Sequence, residues 1–164
     1  MVVENILHMN AGNGETSYAN NSILQKAVIM KSQPLLENTL KDMYSDKFPE
    51  CFSIADLGCS SGPNTLLVIS NIIDTVHSLC HQNNGKAPEF QVFLNDLPNN
   101  DFNTIFKSLP TFYAKLKEDQ GDKLGPCFLS GVPGSFYEGF SQAKAYTSFI
   151  LLTVFIGSLR FLKA

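Results

Sequence analysis

Apolar and polar positions along the chain alternate between short continuous runs and longer stretches of helical spacing. From Ser22 onward, Ile23, Ala27 and Met30 recur on one helical face, with Leu24 and Val28 beside them. Spacings of three and four place side chains on one side of an α-helix. Ser32-Gln33-Pro34 predicts a break and restart, because an internal proline removes an N–H and crowds the preceding turn. Leu36, Leu40 and Met43 then carry the stripe on, and residues 48–50 read as a turn. Residues 52–57 (FSIADL) form an apolar run that stops at Gly58, the signature of a buried strand. Leu66, Ile69, Ile73 and Val76 predict a helix of about four turns. A polar linker from His81 to Pro88 leads to a second strand over 90–95 (FQVFLN), closed by Asp96. Residues 102–109 and 112–116 read as two short helical pieces parted by Pro110, and 127–132 (CFLSGV) as a third strand.

Strand, glycine loop, helix, strand, helix, strand is the order of half a doubly wound α/β sheet. The expected fold is therefore a Rossmann-like sheet with helices on both faces, present for about three strands. Residues 149–156 (FILLTVFI) fit either a strand beside the first one or a helix. A membrane span needs about 20 apolar residues. This stretch falls short unless Thr147, Ser148, Thr153, Gly157, Ser158 and Arg160 are counted in, which argues against an anchor.

Length and composition narrow the function. A chain of 164 residues makes one ordinary domain. With 44% hydrophobic and 16% charged residues, it can bury a core. Twelve basic side chains face 15 acidic ones, and Arg160 is the sole arginine. No cationic stripe exists to replace the counterions of a nucleic acid, so no nucleic-acid partner is expected. Charge is unevenly spread: Lys144, Arg160 and Lys163 follow residue 140, and no acidic residue does. The N-terminus MVVENILHMN has neither a basic segment nor a long apolar one, so no signal peptide is expected. Cys51, Cys59, Cys80 and Cys127 show no zinc spacing, which predicts reduced thiols and a cytoplasmic protein. His77 and His81, with Cys80, supply half a metal site at most; a solvated helix end is the plainer reading, and no metal is assigned.

The chemistry concentrates after the first strand. Gly58 and Gly62 bracket the turn into the following helix, where glycine allows positive φ and close approach of a ligand. A helix N-terminus offers unpaired N–H groups to an anionic group, and Asn64 lies in that first turn. Asp96 closes the next strand, where an acid can accept the hydroxyls of a ribose. Together these predict an adenosine-containing cofactor. Dinucleotide sites usually read G-x-G-x-x-G with an acid about 20 residues on. Here the loop is G-x-x-x-G and Asp96 lies much farther along. Asp56 suits a cationic amino group better than a pyrophosphate. These features favour S-adenosylmethionine over a nicotinamide cofactor, with a nicotinamide oxidoreductase as the alternative.

Four stretches are more specific still: LHMNAGNGETSYANNSILQ (7–25), ADLGCSSGPNTL (55–66), FLNDLPNNDFN (93–103) and GVPGSFY (131–137). In this order and spacing the chain resembles the plant SABATH methyltransferases. Members methylate carboxylates of the salicylate, benzoate and jasmonate type, or xanthines on nitrogen. The resemblance implies S-adenosylmethionine binding at Tyr18, Ser22, Cys59, Asn64, Asp96, Leu97, Ser135 and Phe136, with Asp56 and Gly58 in the same loop motif. Asp96 would hold the ribose, Leu97 and Phe136 would sandwich the adenine, and Ser22 and Asn64 would bond the methionine end. Tyr18 and Gln25 fall where the family touches the methyl acceptor, and Gln25 points to a carboxylic acid rather than a xanthine. No catalytic residue is expected, because a carboxylic acid of pKa near 4 is already ionised at neutral pH.

After Tyr137 the family continues with Gly-Arg and residues of the acceptor pocket, whereas this chain reads EGFSQAKAYTSFILLTVFIGSLRFLKA. Residues 1–137 are thus expected to form the cofactor-binding half of a methyltransferase domain, and 138–164 a divergent hydrophobic tail. An alternative transcript or a reading into an intron would produce such a junction. On this reading the expected partner is a small carboxylic acid, turnover is weak or absent, and a family-type homodimer is not expected. A non-catalytic form that binds cofactor or a full-length relative is the second expectation.

Overall fold

In the computed structural model the described residues are 23–44, 48–121, 124–135, 149–155 and 158–163, with side chains described for 26–44, 48–121 and 124–135. Tyr18, Ser22 and Phe136 lie outside them. Three helices, α1 (Ile23–Met43), α2 (Asn64–Gln82) and α3 (Phe102–Gln120), accompany five strands: β1 (Cys51–Leu57), β2 (Glu89–Asp96), β3 (Cys127–Pro133), β4 (Phe149–Phe155) and β5 (Ser158–Lys163).

The strands form one sheet in the order β3-β2-β1-β4-β5. β1 pairs in parallel with β2 and with β4, and β2 in parallel with β3; β4 and β5 run antiparallel. The apolar segment after residue 148 is therefore strand, and it lies beside β1. This resolves the strand-or-helix choice the sequence left open. Successive strands move outward from β1 to β3 and then return to the other side of β1, so the order reverses between β1 and β4. Parallel α/β sheets place ligands beyond the strand C-termini at such a reversal.

Register divides the side chains between two faces. Phe52, Ile54 and Asp56 on β1 stand level with Phe90, Val92 and Leu94 on β2, and these with Cys127, Leu129 and Gly131 on β3. The apolar members of this face join side chains of all three helices in one core cluster. Phe52 is fully buried and meets Tyr44, Phe48 and Phe90 edge-on, with ring centroids 5.5, 5.8 and 6.0 Å away. Ala55 and Leu57, buried on the other face, stand outside that cluster. The second face opens toward β3, where Phe128 is 56% exposed.

Two helical expectations need correction. Pro34 and Pro110 each lie inside a continuous helix. Both prolines sit on the solvent side, so the carbonyl left without its N–H partner, that of Met30 or Phe106, can be met by water. The buried stripe continues past each proline: Ile29, Leu36 and Leu40 in α1, and Ile105, Phe112 and Leu116 in α3. The stripe read through Ala27 and Met30 is also displaced. Ala27 is exposed and Met30 is 62% exposed, while Ile29 is buried. α1 carries two apolar stripes, and docking against α2 and the sheet selects between them.

Candidate functional site

The site begins where β1 ends. Gly58 adopts φ 76° and Ser60 φ 55°, so the chain turns sharply between the strand and α2. Glycine meets the first of these without strain. Pro63 occupies the N-cap of α2 and brings no side-chain hydrogen bond to the first turn. The leading amides of α2 thus lack a side-chain cap, an arrangement suited to an anionic group.

The end of β2 organises this loop. The carbonyl of Asn95 accepts hydrogen bonds from the Gly58 and Cys59 N–H groups at 2.8 and 3.0 Å. Asp96 accepts from the Ser60 N–H at 2.6 Å through Oδ2 and from the Leu97 N–H at 2.7 Å through Oδ1. Asn100 donates from Nδ2 to the Ser60 carbonyl at 3.0 Å. The loop after β3 is tied to the same point: the Gly134 N–H donates to the Asp96 carbonyl at 2.8 Å. Asp56, Gly58, Cys59, Asn64, Asp96, Leu97 and Ser135 are therefore brought together at the C-terminal ends of β1, β2 and β3. Gln25 lies in the first turn of α1, with its side chain outside the described residues, and Tyr18, Ser22 and Phe136 lie outside them altogether.

Sequence reasoning missed Asn95, Ser60, Thr65 and Asn100. A signal existed for Asn95: it is an amide inside an otherwise apolar strand, and only 2% of it is exposed. A buried polar group requires partners, and those partners are long-range, out of reach of spacing arguments.

Electrostatics distinguish the two aspartates. Asp56 is 2% exposed and accepts from the Thr65 hydroxyl at 2.6 Å. Burial pushes its carboxyl up from an ordinary 3.8 to about 7; the Thr65 bond opposes the rise and the nearby Asp96 charge adds to it. Burial, with Asp56 and Asp96 close by, also pushes the Cys59 thiol well above its usual range. Cys59 is thus held as a neutral thiol and is no nucleophile. All four cysteines are free.

The arrangement fits an adenosyl cofactor with a charged amino-acid end. An ionised carboxylate has about four acceptor positions. Asp96 uses one on each oxygen for the backbone, so each oxygen retains capacity for a ribose hydroxyl. Among the described residues, four buried side-chain atoms have no partner: Gln33 Oε1 on α1, away from this loop, and Asp56 Oδ1, Ser60 Oγ and Asn95 Oδ1, in this loop or at the adjoining ends of β1 and β2. Such orphans are rare unless water or a ligand meets them.

The chain is similar to several known methyltransferases. A solved loganic acid methyltransferase with SAH superposes with a TM-score of 0.64 at 36% identity, covering 79% of this chain and 35% of that one. The S-adenosyl-L-methionine:benzoic acid/salicylic acid carboxyl methyltransferase 3 of Petunia hybrida is 49% identical over 156 residues, 93% of this chain and 44% of the relative. The jasmonate O-methyltransferase of Arabidopsis thaliana is 52% identical over 144 residues, 84% of this chain and 37% of the relative. The chain spans less than half the length of these curated relatives. A family profile described as SAM dependent carboxyl methyltransferase matches residues 4–145, so the chain belongs to that family.

Proposed function

We propose that this chain binds S-adenosylmethionine at the ends of β1, β2 and β3, and that the protein methylates the carboxylate of a small plant acid of the salicylate, benzoate or jasmonate type. The observation that supports this most is the half-buried Asp96, held by the Ser60 and Leu97 N–H groups with acceptor capacity to spare. When bound, S-adenosylmethionine supplies a methyl group on a sulphonium centre. Asp96 would hold the ribose hydroxyls, and Leu97 and Phe136 would flank the adenine. Ser22 and Asn64 would bond the methionine end, with Asp56, Gly58 and Cys59 shaping the loop beneath it. Tyr18 and Gln25 would position the acceptor. A carboxylate oxygen is already ionised at neutral pH, so these residues need only orient it and exclude water, and no base has to remove a proton.

The short span relative to the curated relatives favours a second reading, in which this form binds the cofactor without turning it over. N-methylation of a xanthine is a third. Calorimetry with S-adenosylhomocysteine and a radiolabelled methyl-transfer assay over plant acids and xanthines separate them. The expected result is binding, with Asp96→Asn weakening it at least about 100-fold, since hydrogen bonds to a charged group contribute roughly 1.5–3 kcal/mol each. Binding without transfer to any acceptor selects the second reading. Absence of binding overturns all three.

A further inference from the structure

Asn95 is placed to hold two loops at once. Its carbonyl fixes the Gly58 and Cys59 amides on the β1 side. Its side chain reaches the β3 side, where Nδ2 donates to the Val132 carbonyl at 2.8 Å and to the Gly134 carbonyl at 3.1 Å. Two carbonyl acceptors settle which amide atom is the nitrogen, because an oxygen there would be repelled. The Asn95 Oδ1 atom is buried without a partner. A leucine would fill a similar volume with no orphan, so stability alone does not account for an amide here. Gly134, which this side chain grips, adopts φ 150° and carries the chain into Ser135.

We propose that Asn95 is a positioning residue that holds the loop after β3 in register with the loop after β1, so that one dipeptide, Asn95-Asp96, aligns both walls of the site. Its main chain and that of Asp96 make the ties any residue would make: the Asn95 carbonyl to Gly58 and Cys59, and the Asp96 carbonyl to Gly134. The two bonds from Nδ2 are the part that requires asparagine. The inference concerns the loop itself; only its expected effect on affinity rests on the proposed function.

The test uses the whole chain, with amide hydrogen exchange followed residue by residue and S-adenosylhomocysteine binding measured by calorimetry. In Asn95→Leu, protection of the Gly134 amide should fall about tenfold or more, and the dissociation constant should rise at least about fivefold. Protection of Phe90, whose N–H bonds the Pro126 carbonyl away from the site, should change less than about twofold. Unchanged protection at Gly134, or a uniform fall across β1 and β2, would overturn the proposal. If Asn95→Leu does not fold, Asn95→Asp decides the matter. Burial and the adjacent Asp96 favour the protonated form of an introduced carboxyl, which donates one hydrogen bond; the ionised form donates none. Gly134 protection, corrected for intrinsic exchange and taken relative to the unaltered protein at each pH because Asp56 and Asp96 face the same site, should therefore recover between pH 8 and pH 5, and a flat difference refutes the assignment. If the unaltered protein binds no S-adenosylhomocysteine, the proposed function fails while the exchange measurements still judge Asn95.

Discussion

Asp56→Asn should flatten the dependence of stability on pH. In the folded chain the Asp56 carboxyl titrates near 7, against an ordinary value of 3.8. Below about pH 4 the proton is bound in both folded and unfolded states. Between 4 and 7 only the folded state holds it, so the folded state binds more protons and stability must fall as pH rises. Above 7 both states are ionised and the contribution levels off. At 1.36 kcal/mol per pKa unit, the loss across this window is on the order of 4 kcal/mol. An asparagine does not titrate, and its Oδ1 can still accept from Thr65 at the position Asp56 Oδ2 holds. Its amide must find its own partner, so the absolute stability of the variant is not the observable. The difference between the two proteins is. Chemical unfolding followed by circular dichroism at unit steps from pH 4 to pH 8 should show the original protein losing about 4 kcal/mol relative to Asp56→Asn. Groups distant from Asp56 are common to both proteins and cancel in the difference. Parallel curves would show that Asp56 is ionised throughout and that its burial has been offset by something other than a proton.

Thr65→Val removes the one hydroxyl donor to Asp56 Oδ2 and should move the same transition to higher pH, read by the same difference measurement. Asp101 caps α3 by accepting from the Thr104 N–H at 3.1 Å and its hydroxyl at 2.6 Å, and Asp101→Ala should destabilise the chain by about 1 kcal/mol in urea unfolding. Gly58→Ala places a side chain at φ 76° and should lower stability by roughly 1–2 kcal/mol in the same assay. Phe52→Ala empties the centre of an aromatic cluster formed with Tyr44, Phe48 and Phe90, with an expected loss of about 3–5 kcal/mol. Retention of a cooperative melt within a few degrees of the original would refute that role for Phe52.

Local pattern determined a good deal of this protein. The strands at 52–57, 90–95 and 127–132 were legible because a short, largely apolar run closed by Gly58, by Asn95-Asp96 or by Pro133-Gly134 has few other uses, and each lies within the observed β1, β2 and β3. The meeting of the Gly58 loop with Asp96 also followed from chain order, since adjacent parallel strands must end side by side. Tertiary structure decided the rest. Whether a proline interrupts a helix depends on which side faces solvent, and Pro34 and Pro110 both face it. Which of two apolar stripes on α1 is buried depends on what docks there, and Ile29 was chosen over Met30. The ambiguous run at 149–155 became a strand because the open side of β1 offered unpaired backbone groups to extend against. Asn95 owes its role to Val132 and Gly134, 37 and 39 residues away, and Asp56 owes its raised carboxyl to burial by the whole fold. Spacing along a chain reports the period of one element, whereas hydrogen-bond satisfaction and desolvation are set by what the whole fold brings into contact.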